Sequence, residues 1–336
     1  MGTISSRREF LRRLVATGAG AYGLGRFVRR ASADKGSPAG SRSKVVIVRS
    51  PSLGPFDGRP QPDQSLLTDM LGQGMKALTG QPTAIKAWAK VLKPEDLVSI
   101  KVNCLGGPRC SSRPELANAV AASAQMAGVA ADNIIIWDRS GRELQEVGFT
   151  LNPNSAGIKC YGTDGDYTDE IEHRSFRGRI SRILADHTMA LINLPILKDH
   201  DNAGVTNALK NHYGTCNNPG AHHANHCDPY LADLNDLPLI RDKTRLIVCD
   251  AIQAVCHGGP GFASPDYLWD EKALLLGFDP VAIDFIGWEL IERRRREIDV
   301  PSLADSGREP KYIATAAALG LGVARRDQIE LTEINV

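Results

Sequence analysis

Residues 97–138 read LVSIKVNCLGGPRCSSRPELANAVAASAQMAGVAADNIIIWD, and the order of elements in them decides the fold. The apolar run at 97–103 is a strand, because turn residues follow it before a helix could complete. Pro114 opens a helix where a missing N–H costs least, Glu115 sits beside the positive helix end, and the helix runs to about Gly128. Residues 133–137 are the next strand, ending at Asp138. Strand, helix, strand is a βαβ unit, so the two strands are expected to lie parallel with a right-handed crossover. Such sheets bind ligands beyond the carboxyl ends of their strands, which places Lys101, Asn103, Arg109, Asp138 and Arg139 within reach of a site.

The pattern continues on both sides. The β-branched run at 44–49 is a strand covered on both faces. Apolar residues at helical spacing mark 65–78, with a second helix at 82–89, a short helix at 140–147 and a strand at 158–161. A helix is expected at 175–185, then the central strand at 189–196. Residues 245–250 form a strand ending at Asp250, and 273–278 another that runs into Asp279-Pro280, an N-cap with proline at the first helical position. A helix from 281 to about 296 ends in the arginine run 293–296, expected as a solvated terminus, and a helix at 312–319 and a strand at 328–334 close the chain. The expected class is α/β, a largely parallel sheet of βαβ units, with a second lobe formed by residues from 189 on.

The chemistry concentrates in residues 191–229, LINLPILKDHDNAGVTNALKNHYGTCNNPGAHHANHCDP. Four of the eight histidines and two of the seven cysteines lie between His212 and Cys227. Lys198, His200, Lys210 and Asn211 are the candidate catalytic group, since lysine can hold an anion or, when desolvated, act as a base. Residues 202–211 are expected to be helical, with Asn207 and Asn211 on one face and the helix start aimed at the carboxyl edge. Asn103, Arg109, Asn202, Thr206 and Asn207 are candidate substrate contacts. His222, His223, His226 and Cys227, with Cys216, offer mixed N and S donors suited to zinc or iron, on a helix or on a loop. Asp138 and Asp250, both at strand ends, are candidates for orienting a ligand.

Length and composition describe an ordinary globular chain of 336 residues, 42% hydrophobic and 24% charged. The N-terminus is different. Arg7-Arg8 precedes Phe10-Leu11, a Gly/Ala-rich apolar segment follows, and Ala31-Ser32-Ala33 has a small-x-small cleavage pattern, the order of a twin-arginine export signal. Residues 1–33 are read as that signal and 34–43 as a linker, which makes the export machinery a partner and the periplasm or exterior the destination. The segment is too short and glycine-rich to remain as a membrane span. It carries seven Arg and one Glu; without that +6 the whole-chain +1 becomes −5, so no basic nucleic-acid footprint is present. The cysteine count is odd, and Cys104 with Cys110, or Cys216 with Cys227, were open to pairing. Gly106-Gly107 matches neither nucleotide-binding glycine fingerprint.

The KVN strand with its Gly-Gly-Pro loop, LPILKDHDNAGVTNALKNHYG, the strand ending at Asp250 and GFDPVAID together resemble the DUF362 family, a domain of unknown function. The resemblance spans about residues 44–330, with K-x-H-x(3)-G-x-T-x-A-x-K-N as its specific core. It implies an iron–sulfur association, although this chain has no C-x2-C-x2-C-x3-C run. The resulting expectation is an exported metal- or iron–sulfur-dependent enzyme, redox chemistry first. A zinc hydrolase or lyase, and a non-catalytic metal- or anion-binding protein, are the alternatives.

Overall fold

In the computed structural model, residues 42–54, 62–261 and 263–336 are described; the expected signal at 1–33 and the linker up to residue 41 lie outside them. The strands are β1 (Ser43–Arg49), β2 (Val98–Lys101), β3 (Ile134–Asp138), β4 (Lys159–Gly162), β5 (Tyr167–His173), β6 (Phe176–Ser181), β7 (Ala190–Asn193), β8 (Ile196–His200), β9 (Gly204–Thr206), β10 (Thr244–Val255), β11 (Leu268–Trp269), β12 (Ala273–Gly277) and β13 (Ile329–Asn335). The helices are α1 (Gln64–Thr79), α2 (Ala84–Ala89), α3 (Pro114–Met126), α4 (Gly141–Val147), α5 (Arg182–Asp186), α6 (Ala208–Asn211), α7 (Tyr230–Asn235), α8 (Pro238–Arg241), α9 (Pro280–Glu297) and α10 (Tyr312–Ala318).

The chain forms an eleven-stranded sheet whose main path runs β13-β1-β12-β10-β7-β2-β3-β4. Every neighbouring pair on that path is parallel except the two made by β12. The sheet is therefore largely parallel and covered on both faces, as continuous apolar strands require. Side chains of β1 alternate between the covers: Val46 and Val48 pack with Leu67, Met70 and Leu71 of α1, whereas Val45 and Ile47 pack with Ile283 and Ile286 of α9. The strands of the expected second lobe, β7, β10, β12 and β13, belong to this same sheet. Asp279 caps α9 as expected, accepting from the amides of Val281 and Ala282, both at 2.9 Å. Among the described residues no helix is long and apolar enough to cross a membrane.

Three local expectations fail, each for a physical reason. Residues 176–181 are a strand, not a helix, because Phe176, Gly178 and Ile180 point inward while Arg177 and Arg179 point out, a period of two. That strand pairs with β5 as a separate ribbon, tied to α7 by the Ser175 amide donating to Asp233 at 3.1 Å. Residues 202–211 are not one helix: Gly204 turns the chain with φ +77°, β9 pairs back on β8, and only α6 is helical. A four-residue helix offers no dipole site at its start. Finally, Arg295 in the arginine run is fully buried rather than solvated, and donates to the carbonyls of Pro301 and Cys256, both at 2.7 Å.

Candidate active site

Parallel register sets the floor of the site. Lys101 pairs with Trp137 on one side and with Asn193 on the other, so the last residues of β2, β3 and β7 share one edge. Lys101 Nζ, fully buried, donates to Asp138 Oδ1 at 2.6 Å, to the Val102 carbonyl at 2.7 Å and to Asn211 Oδ1 at 3.4 Å. A buried ammonium needs these acceptors, because an unpaired one is strongly disfavoured. Asp138 Oδ2 also accepts from the Cys104 amide at 2.6 Å, which starts the Gly-Gly-Pro loop. Asn211 joins the strands to α6, donating to Asn193 Oδ1 at 2.7 Å and to the Lys101 carbonyl at 3.1 Å. Gly214 lies against this pair, and a Cβ there would meet Lys101 Nζ at 2.6 Å.

The walls come from the β8–β9 hairpin and α6. Lys198 pairs with Thr206 across the hairpin, and its Nζ donates to the carbonyls of Leu105 and Cys110 in the Gly-Gly-Pro loop. His200 Nδ1 accepts from the amides of Asn202 at 3.1 Å and Ala203 at 3.2 Å, which leaves the ring proton on Nε2. The exposed Asp201 carboxylate lies 2.9 Å from the same nitrogen, where only a charged ring would complete an ion pair. Burial, reinforced by Lys210, His223 and Lys198, instead pulls the His200 pKa down to about 2 and keeps it neutral. Lys210 Nζ approaches His223 Nε2 at 3.3 Å and lies 3.9 Å from the Tyr213 ring centre. His223 Nδ1 is 2.8 Å from the Pro219 carbonyl, so it carries the proton and Nε2 accepts from the lysine. Burial lowers the pKa of both Lys198 and Lys210 to about 8.

These groups line one cavity of about 440 Å³. Two of its charge pairs are internal, Lys101 with Asp138 and Arg139 with Glu143. Lys198 and Lys210 are different: among the described residues neither has a carboxylate within ion-pair distance.

Comparison with known proteins places the chain. The family model described as a domain of unknown function, DUF362, matches residues 98–289, more than half of the chain. The chain belongs to the DUF362 family. No curated protein matches it. A crystal structure of a protein from Thermotoga maritima, a target of the Northeast Structural Genomics Consortium, is similar at 9% identity and a TM-score of 0.42. That similarity covers 64% of this chain and 58% of the other, so the DUF362 chain spans less than two thirds of that protein's length.

In this DUF362 chain the cavity gathers Lys198, His200, Lys210 and Asn211 with Asn103, Asn202 and Thr206. It does not gather Arg109, which lines a separate cavity with Glu271 and Arg293. Asn207 is buried against α9, donating to the Ile283 carbonyl at 3.1 Å, and is a packing residue. Asp138 lines the cavity, but Asp250 does not; its carboxylate accepts from the amides of Arg113 at 3.0 Å and Ile252 at 3.1 Å.

The five expected metal donors do not share a helical face. Asn225 and His226 have φ of +49° and +56°, so residues 222–227 form a loop, and the helical i,i+4 pairing of His222 with His226 is absent. His223 is occupied by Lys210 and Pro219, and His226 Nδ1 lies 3.0 Å from the Asn202 carbonyl. Cys216 Sγ donates to the Tyr213 carbonyl at 3.4 Å, burial pushes its thiol up to about 11, and Cys227 contacts the Tyr213 hydroxyl. Of these donors His222 has both ring nitrogens buried without a partner at strict hydrogen-bond geometry, with the Arg177 backbone a polar neighbour, among the rings of Phe176, Tyr213 and Tyr230. Among the described residues no three His, Cys, Asp or Glu side chains gather as a group that could hold a metal. All seven cysteines are buried free thiols, so neither expected pairing is present.

Lys101 and Arg139, expected within reach of a site from their strand ends, do line the cavity, whereas Tyr213, in the 3₁₀ turn after α6, lines it without having been singled out in the sequence, and Asn193 at the end of β7 supports it by accepting from Asn211. The signal available for Lys101 was a lysine within an apolar strand that needs a buried partner. Gly106 explains the glycine loop without a nucleotide. Its φ is +114°, and a Cβ would sit 2.4 Å from the Pro260 carbonyl and 3.2 Å from Lys198 Nζ. Gly106→Ala is expected to cost about 1–3 kcal/mol and to shift the carbonyls that hold Lys198. Urea unfolding checks it; native stability in the variant would show that the loop has room.

Proposed function

We propose that this DUF362 protein is an enzyme that binds a small organic anion in the 440 Å³ cavity and transfers a proton at the bound molecule. One observation carries the reading: Lys198 and Lys210, themselves buried, line a cavity with no carboxylate within ion-pair distance among the described residues. A bound anion supplies the missing partner of these buried amines, where a charged hydrogen bond counts for more than in water. Lys198 is the anchor, because two carbonyls hold it. Lys210 is the proton donor or acceptor, steadied by His223, and the Nε2–H of His200 is a neutral donor for developing negative charge.

Calorimetric titration with pyruvate, malonate and inorganic phosphate, beside neutral hydroxyacetone, tests the binding. Organic anions are expected to bind and hydroxyacetone is not. Exchange of substrate protons for deuterium, followed by NMR, tests the proton transfer. Equal binding of the neutral compound, or no binding of any anion, removes the reading.

The metal-dependent redox reading has one observation in its favour, the buried ring nitrogens of His222 without a partner at strict hydrogen-bond geometry. Elemental mass spectrometry of the chain purified without oxygen tests it: several irons indicate a cluster, one zinc or iron a mononuclear site, and none removes it. Export is part of the proposal on the strength of Arg7-Arg8 and Ala31-Ser32-Ala33. Substituting both arginines by lysine is expected to hold the chain inside the cell, as fractionation reads.

A further inference from the structure

The three lysines of the cavity are not chemically equivalent. Lys101 gives all three of its donors to Asp138, Val102 and Asn211, which fixes it as an ammonium. Lys198 gives two donors to the carbonyls of Leu105 and Cys110, which also favours the ammonium and leaves one donor for a ligand. Lys210 has no oxygen acceptor among the described residues. Its neighbours are a histidine lone pair and an aromatic face, and the face is a weaker partner than a carboxylate. Its stem is buried in α6, between the packed Leu209 and Asn211, so the amine is held in place rather than swinging in solvent. A desolvated amine without oxygen partners, in one cavity with a second lysine, is an arrangement that activates lysine as a nucleophile.

From this geometry we infer that Lys210 forms an imine with a small 2-oxo acid whose carboxylate is held by Lys198. The inference rests on the proposed anion site and adds the substrate class and the bond made. The Nζ lone pair attacks the ketone carbon, and the carbonyl electron pair moves to oxygen, which takes up a proton. The nitrogen gives up one proton on forming the carbinolamine, a second proton lets the oxygen leave as water while the C=N bond forms as the iminium, and loss of the remaining N–H proton gives the imine, so amine and ketone give imine and water with no oxidant required. His200, with its proton on Nε2, lines the same cavity as a donor for the departing oxygen. The resulting iminium withdraws electrons from the bonds beside it, which makes loss of an adjacent proton or carboxylate the reaction class.

Reductive trapping tests it. The full chain is incubated with pyruvate and sodium cyanoborohydride, which delivers hydride to the iminium carbon, and the adduct is mapped by peptide mass spectrometry. One reduced adduct on Lys210 is expected, absent in Lys210→Met and Lys210→Arg. Its yield at limiting pyruvate is expected to fall about tenfold or more in Lys198→Met, the loss of one charged hydrogen bond. Thermal melting of each variant establishes that it is folded, and Lys210→Arg keeps the charge if the Met variant does not fold. Calorimetric binding of pyruvate and malonate without any Lys210 adduct overturns the imine and leaves the anion site standing. Absence of both binding and adduct overturns both. Adducts spread evenly over exposed lysines also overturn the imine.

Discussion

Replacing Asp199 by alanine is expected to lower the stability of the chain by about 3–5 kcal/mol, because it strands buried guanidinium charge. Asp199 is fully buried on β8, between the two site residues Lys198 and His200. Its carboxylate accepts from Arg308 Nη1 at 3.0 Å and 3.2 Å and from the Gly259 amide at 3.2 Å, and Arg295 Nη1 lies 3.6 Å away. Burial raises the Asp199 pKa despite these arginines, and it lowers that of Arg295, so the cluster is held at a desolvation cost that removing one member does not recover. The urea unfolding midpoint checks this, with an unchanged slope showing that the same surface is exposed. A loss below about 1 kcal/mol would place the cluster in the class of weak surface pairs. Since the side chains of β8 alternate, Asp199 faces away from Lys198 and His200 while fixing their strand. Loss of site geometry is therefore expected to accompany the loss of stability.

Substituting Lys198 by methionine is expected to weaken pyruvate binding by tenfold or more, on the order of the 1.5–3 kcal/mol attached to a charged hydrogen bond. The pH dependence follows from the ammonium form. Burial has brought the anchor Lys198 from the ordinary 10.5 to about 8, so its hold on the carboxylate is full below that pH and declines as pH rises through it. Calorimetry at pH 7 and pH 9 measures the decline; equal affinity at both would mean that Lys198 does not hold the anion. Stability responds with the opposite sign. Between about pH 8 and 10.5 the unfolded chain binds more protons at these lysines than the folded one, so their contribution to stability increases over that window. The wild-type chain should accordingly gain stability relative to Lys198→Met as the pH is raised through the same range.

The βαβ unit, the strand ends and the cap at Asp279 were legible in the sequence because each depends on neighbours in the chain: an apolar run, a proline at the first turn, an aspartate before it. The residues of K-x-H-x(3)-G-x-T-x-A-x-K-N were legible as a site for the same reason, and Lys198, His200, Lys210 and Asn211 do line one cavity. Their local conformation was not. A glycine in the left-handed region and the pairing of Lys198 with Thr206 make a hairpin where a helix with Asn207 and Asn211 on one face was the expectation.

Tertiary structure alone decided the partners. Lys101 meets Asp138 across 37 residues, Lys198 meets the Leu105 carbonyl across 93, and Asp199 meets Arg308 across 109. The register of parallel strands brings such pairs together, and register is set by the packing of both sheet faces rather than by any local pattern. The same holds for the donors at residues 216–227, whose neighbours are set by the fold: Cys216, His222 and His223 lie against Tyr213, while His226 meets the Asn202 carbonyl. By itself the sequence determined which residues are available for chemistry and at which end of the sheet they lie. Long-range packing decided which of them share a cavity, which remain charged, and that Lys210 is, of the three lysines lining the cavity, the one without an oxygen partner among the described residues, because desolvation and pairing are properties of the folded surroundings.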